Sequence, residues 1–185
     1  MIGRRDVLKL AGALMGMGLL RPNISEAFIS HTQDAVIGRH HVFLGKYYAE
    51  IIGGNRLSIP SSLIKGCSDA LYVTNAVVDK CLHIFPEAEW QKMCDKVNKL
   101  PESNEAVRLF TRRVIISAQK TSLSKDGDIW IDHALLNDAE ISDDVVLVGQ
   151  IDKIELWSQH IWDDVIDIAN FDAAKVEREL ADFSL

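Results

Sequence analysis

The chain has 185 residues, 48% of them hydrophobic and 25% charged, with a formal net charge of −7. That composition suits one soluble domain or two small ones. An acidic chain cannot hold nucleic acid through its overall charge; its few cations would have to share one surface.

Residues 3 to 20 read GRRDVLKLAGALMGMGLL. Arg4 and Arg5 ahead of an apolar, Gly-rich run resemble a twin-arginine export signal, with Ser25 to Ala27 as a weak cleavage site. The run is too short to span a bilayer, which takes about 20 residues. The alternative is that residues 1–41 are a non-functional extension produced by too early a start. Either way this segment is expected to lie outside the fold.

From residue 53 the chain alternates turns, short strands and helices. Gly53, Gly54 and Asn55 are turn formers, since glycine and asparagine tolerate positive φ. Leu57 and Ile59 alternate with Ser58 as a short strand that Pro60 ends, and SSLIKG predicts a short helix with Ser61 or Ser62 near its N-cap. ALYVTNAVVDKCLHIF reads as a hairpin turning at Asp79 and Lys80. Pro86 suits the first turn of a helix that gathers Trp90, Met93, Val97 and Leu100 on one face. SNEAVRLFTRRVIISAQK predicts a helix running into a strand.

The pattern then starts again. Lys125, Asp126 and Gly127 make a turn, Ile129 and Ile131 alternate with Trp130, and HALLND is a short helix. VVLVGQIDKIELW is a hairpin turning between Gln150 and Lys153. SQHIWDDVIDIA predicts a helix with Ile161, Trp162, Val165 and Ile168 together, and a charged helix follows Phe171. Arg56 aligns with Asp128, Leu63 with Leu135, Val73 with Val145, Ile84 with Leu156, Phe85 with Trp157 and Trp90 with Trp162. A constant offset of 72 without a gap predicts two copies of one unit, each too small to bury a core alone.

Trp90 and Trp162 are expected in the core. Trp130 points away from the Ile129 and Ile131 face, either into a subunit interface or under the tail helix. Cys67, Cys81 and Cys94 lack metal spacing and read as reduced thiols. His133 and the acids of the tail have no partner at triad or metal spacing. No P-loop, dinucleotide fingerprint, nucleophile elbow or zinc signature is present, so neither an enzyme nor a cofactor is expected.

The pieces NRLSIP, IFPEAEW and VLVGQIDKIELWSQHIW resemble the MraZ family, over residues 42–185. Family members begin with Met-Phe-x-Gly about 14 residues before the first motif arginine, and Val42 to Gly45 stands in that place. The resemblance implies an α+β fold: two tandem swapped-hairpin, AbrB-like, β-rich half-domains with flanking helices, related by a pseudo-twofold. On that reading residues 46–89 and 118–161 are the half-domains, 90–117 the linking helices and 162–185 the C-terminal helices.

The resemblance also implies a cytoplasmic, nucleoid-associated homo-oligomer, ring-shaped, that binds double-stranded DNA. It would regulate transcription of division and cell-wall genes by binding promoter repeats. The family contacts DNA through Asp-x-x-x-Arg, once per half. This chain departs from the motif in both halves. Arg56 is kept, but Ile52 replaces its acid; Ser124 holds the second acid position and Asp128 the second arginine position. Arg56, Asn55 and Lys46 are the expected DNA contacts, and Asp128 is expected to repel a phosphate. Lys65 is a further candidate beside the first turn. Arg108, Arg112 and Arg113 form the densest basic cluster, with Arg108 and Arg112 on one helical face. Two other readings remain open: an oligomeric scaffold that has lost DNA binding, and an exported structural or binding protein.

Overall fold

A computed structural model describes residues 42–65, 67–166 and 173–181. The signal-like segment and Ile168 lie outside these residues. Within them the chain forms β1 (Lys46–Ile52), β2 (Arg56–Ser58), α1 (Ser61–Ile64), β3 (Ala70–Asn75), β4 (Cys81–Pro86), α2 (Glu87–Val97) and α3 (Glu105–Phe110). A single π-helical turn (Thr111–Ile115) leads to β5 (Gln119–Ser122), β6 (Asp128–Trp130), α4 (His133–Asp138), β7 (Asp144–Gln150), β8 (Lys153–Ser158), α5 (Gln159–Val165) and α6 (Ala173–Ala181). Helices and a sheet with antiparallel pairings make the fold α+β.

Local chemistry sets most of these boundaries. Gly53, Gly54 and Gly127 take φ of 60°, 88° and 87° in the two predicted turns. Pro60, rather than Ser61 or Ser62, caps α1. Pro86 caps α2, where a missing N–H costs nothing, and Asn104 caps α3 by accepting from the Ala106 amide. Helix α2 ends at Val97, so Leu100 falls beyond it and is exposed.

The strand order is β5-β3-β4-β8-β7-β1-β2-β6. Two pairings relate the halves directly. His83 on β4 stands opposite Glu155 on β8, and Leu57 on β2 stands opposite Ile129 on β6. Each pair joins residues 72 apart, so a local twofold passes through both. Strand β1 of the first copy lies on β7 of the second, and β5 of the second lies on β3 of the first.

The repeat is not free of gaps. Pro86 and Ser158 are 72 apart, but their partners Leu71 and Val145 are 74 apart. The counterpart of Val73 is therefore Leu147, which faces Leu156 as Val73 faces Ile84. Two extra residues ahead of β7 are compensated by a tighter second hairpin. In the first, Ala76 bonds Cys81 across four turn residues; in the second, Gln150 pairs Lys153 across Ile151 and Asp152 alone. The shift of two keeps side chains on the same face, because strand side chains alternate with period two. It is invisible to a hydrophobic pattern.

Leu57, Ile59, Leu63, Leu71, Val73, Leu82 and Ile84 share one core with Ile129, Ile131, Leu135, Leu147, Ile154 and Leu156. Both copies contribute, as units too small to bury their own apolar faces must. Helix α2 and the π-helical turn, with Phe110 at the end of α3, cover the other side of β3 and β4. There Trp90 stacks on Tyr72 at 5.1 Å and leans on Phe85 at 6.0 Å. Trp162 on α5 is only half-buried and meets Trp157 edge-on at 5.7 Å. Ile161 is half-buried beside it, whereas Val165 is exposed.

Candidate nucleic-acid interface

The tight first turn hands the chain to β2 so that Leu57 points inward, fully buried, and Arg56 and Ser58 point outward. Strand β6 does the same, burying Ile129 and turning Asp128 and Trp130 outward. Arg56 stands opposite Trp130 and Ser58 opposite Asp128. Trp130 is 48% exposed, so it is not buried beneath the tail helix.

Asp128 is not the isolated repulsive charge that its position suggested. Its Oδ2 lies 3.2 Å from Arg56 Nη1, and its Oδ1 accepts from the Ser58 hydroxyl. The arginine side chain is 43% exposed and the aspartate 13%. In the same half, Ser124 Oγ accepts from the amides of Asp126 and Asp128 at 3.2 and 3.0 Å. The hydroxyl thus holds the second turn, as an acid at that position could. Ile52 has no polar atom to do so in the first half, where two left-handed glycines suffice.

The other expected contacts disperse. Asn55 sits beside Arg56, and its carbonyl accepts from the Ile131 amide at 2.9 Å. Lys46 is exposed with its ammonium 5.1 Å from the Tyr48 ring centroid. It starts β1 while Ile52 ends it, so at about 3.3 Å per residue it lies roughly 20 Å along the strand from the turn. Arg108 donates to the carbonyls of Glu102 and Ser103, and Arg113 to that of Ala76 at 2.8 Å. The π-helical turn also breaks the spacing that would align Arg108 with Arg112. The basic cluster is therefore largely engaged in holding loops. Lys65, just past α1, is exposed.

Sequence reasoning missed His133. A Cβ on Gly54 would come within 3.3 Å of the His133 ring, so this exposed imidazole borders the first turn from the second half. The sole sequence signal was the offset of 72 from Ser61, which follows the other strand.

At the twofold, His83 Nε2 lies 3.5 Å from Glu155 Oε1, and the Trp157 indole donates to Oε2 at 3.1 Å. Burial pushes the Glu155 carboxyl up. The hydrogen bonds from His83 and Trp157, with the charges of His83 and Lys153, outweigh it and hold the group below its ordinary value. Burial raises the Cys67 thiol to about 11, and burial followed by the Glu155 charge raises Cys81 further. Such thiols stay protonated and unreactive at neutral pH. The three cysteines are free. Among the described residues no cluster of ligands is arranged for a metal, and no helix is long and apolar enough to cross a membrane. A cavity of about 390 Å³ beside α5 is lined by Asp143, Asp144 and Asp163 together with His160 and neutral polar side chains.

The family profile described as "MraZ protein, putative antitoxin-like" matches residues 42–113 and again 114–183. The chain belongs to the MraZ family. It is 31% identical to "Transcriptional regulator MraZ" of Clostridium tetani over 144 residues, which cover 78% of this chain and all of that protein. It is 28% identical to the protein of the same name from Natranaerobius thermophilus, with the same coverage. For the Clostridium acetobutylicum protein of that name, identity is 31% over 65% of this chain and 84% of the relative. These MraZ relatives are named as regulators, not enzymes.

Proposed function

We infer that this member of the MraZ family is a DNA-binding transcriptional regulator, acting in the cytoplasm on promoter repeats as a homo-oligomer. The observation that carries the reading is Arg56, 43% exposed on the outward face of the β2–β6 ladder at the end of the sheet, in a chain whose relatives are named transcriptional regulators. Strands can present side chains to a major groove, and the outward side chains of this terminal ladder are placed to do so. Asn55 supports the turn beside Arg56, and Lys46 adds charge further along β1.

The halves are read as AbrB-like swapped hairpins, residues 46–89 and 118–161, with 90–117 linking them and 162–185 ending the chain. The crossing of β1 onto β7 and of β5 onto β3 supports that exchange. Exposed Tyr48 and Ile52 on β1 support contacts between copies in a closed ring. A ring offsets weak single contacts by engaging several repeats together. The division and cell-wall gene cluster is the expected target, and the nucleoid the expected location.

Gel shifts with the full chain and duplexes carrying one, two or three promoter repeats test the reading. Binding should strengthen with repeat number and weaken sharply in Arg56→Ala. Tight binding untouched by that change would remove Arg56 from the contact surface. A second reading has its own support: the Arg56–Asp128 pair cancels the turn's charge, as in a scaffold whose DNA contact has decayed. No retention of any duplex at about 50 mM salt would favour it.

A further inference from the structure

Arg56 is exposed, yet it already holds a carboxylate. The pair is formed by one guanidinium nitrogen, Nη1, at 3.2 Å from Asp128 Oδ2. A guanidinium carries five N–H donors in a planar fork, so most of the fork stays available. Asp128 itself is well anchored. Ser58 bonds its other oxygen, Ser124 bonds its amide, and its side chain is 13% exposed.

We propose that Asp128 makes Arg56 a reader of guanine rather than a phosphate clamp, supplying across the β2–β6 ladder the orienting acid that Ile52 lacks. The inference rests on the reading of this turn as the DNA-facing element. Binding to phosphate scales with the cationic charge that replaces counterions. The Arg56–Asp128 pair has no net charge, and neither do the four outward side chains Arg56, Ser58, Asp128 and Trp130 taken together. A phosphate approaching the ladder meets the more exposed guanidinium first, but the carboxylate 3.2 Å behind it offsets much of the attraction.

The major-groove edge of guanine carries no net charge. It offers two acceptors, O6 and N7, at the spacing of an arginine fork. A fork already held by a carboxylate loses less side-chain freedom on docking. Asp128 is then a positioning residue: it trades affinity for any duplex against discrimination between duplexes.

The test uses the full chain. A pool of random duplexes is bound at low salt and the retained fraction sequenced. The best-bound duplex is remade with 7-deazaguanine, which lacks the N7 acceptor, at each guanine in turn. Fluorescence anisotropy then gives Kd between about 50 and 200 mM salt for the unaltered protein, Arg56→Ala, Arg56→Lys and Asp128→Ala. Thermal unfolding confirms that each variant is folded.

At one guanine the unaltered protein should lose about 5- to 150-fold on removal of N7. Both Arg56 variants should lose that discrimination, and Arg56→Ala should leave the salt slope in place. Asp128→Ala should bind a scrambled duplex more tightly, steepen the slope by about 0.9 and discriminate less. A fall in slope of about 0.9 in Arg56→Ala, with discrimination intact, identifies a phosphate contact and overturns the proposal. Unchanged discrimination in Asp128→Ala also overturns it. Binding with no sensitivity to any deaza substitution defeats the base-reading alone, whereas a chain that retains no duplex defeats the regulator reading itself.

Discussion

Gly149→Ala should be among the most damaging single-atom additions this chain can suffer. A Cβ there would lie 2.5 Å from Leu44 N, 2.6 Å from Phe43 C and 2.8 Å from Leu44 Cα. All three are backbone atoms, so no side chain can rotate aside. Comfortable carbon contacts begin near 3.5 Å, so β7 and the 43–44 segment must separate by about 1 Å. That separation breaks the bridge in which Phe43 and Ile151 exchange hydrogen bonds of 2.9 and 3.0 Å, and it strains the 2.8 Å bond from the Gly149 amide to Gly45. Two lost backbone bonds cost about 1 kcal/mol each. Partial exposure of Phe43, now 2% exposed, adds about 1–3 kcal/mol. The expected loss is about 3–5 kcal/mol, read from denaturant unfolding followed by tryptophan fluorescence. Faster amide exchange at Phe43 and Ile151 should accompany it. Gly149 does not adopt a positive φ, so crowding rather than conformational freedom is at stake. A loss below about 1 kcal/mol, or exchange unchanged at Phe43, would refute the reasoning.

Ile151 takes φ of 58° and is 65% exposed, an uncommon setting for a β-branched residue. Ile151→Asn keeps the backbone bonds to Phe43 and should stabilise the chain by about 1 kcal/mol, seen as a higher denaturation midpoint at unchanged m-value. Glu155 has a depressed folded-state pKa, so its contribution is present above the unfolded value of about 4.3 and fades as pH falls through the folded one. The unaltered protein should therefore be more stable than Glu155→Gln at pH 7, and the gap should narrow at acid pH; a gap that widened there would reverse the sign. Trp90→Ala removes a buried ring stacked on Tyr72 and should cost about 3–5 kcal/mol. Trp130→Ala, at a half-exposed ring, should change monomer stability little, and calorimetry of the two variants distinguishes them.

Much of the architecture was legible in the chain because the signals were local. Glycines at 53, 54 and 127, prolines at 60 and 86, and alternating apolar runs mark turns, helix starts and strands by steric and solvation rules that act within a few residues. The repeat followed from aromatic positions 72 apart. The register of β7 did not, since a slip of two preserves every inward and outward assignment. Nor did the end of α2 before Leu100, because apolar spacing continues where the helix stops. The positions of Lys46 and Arg113 were also hidden: one depends on the length of β1, and the other on a carbonyl at Ala76 that only the folded hairpin presents.

The pair at 56 and 128 shows why a motif read one half at a time can mislead. A local twofold through Leu57 and Ile129 makes residues 56 and 128 equivalent, and it also makes them diagonal neighbours across one ladder. Two arginines there would repel; an arginine and an aspartate attract. A charge reversal in the second half therefore removes one cation and reshapes the surroundings of the other in the same step. Read along the chain, Ile52, Ser124 and Asp128 are three separate departures from an expected motif. Read across the ladder, they leave one arginine beside one acid, with Ser58 and Ser124 securing that acid. Duplication thus lets a single charged pair be assembled from both copies, and its chemistry can be judged only after the strands have been paired.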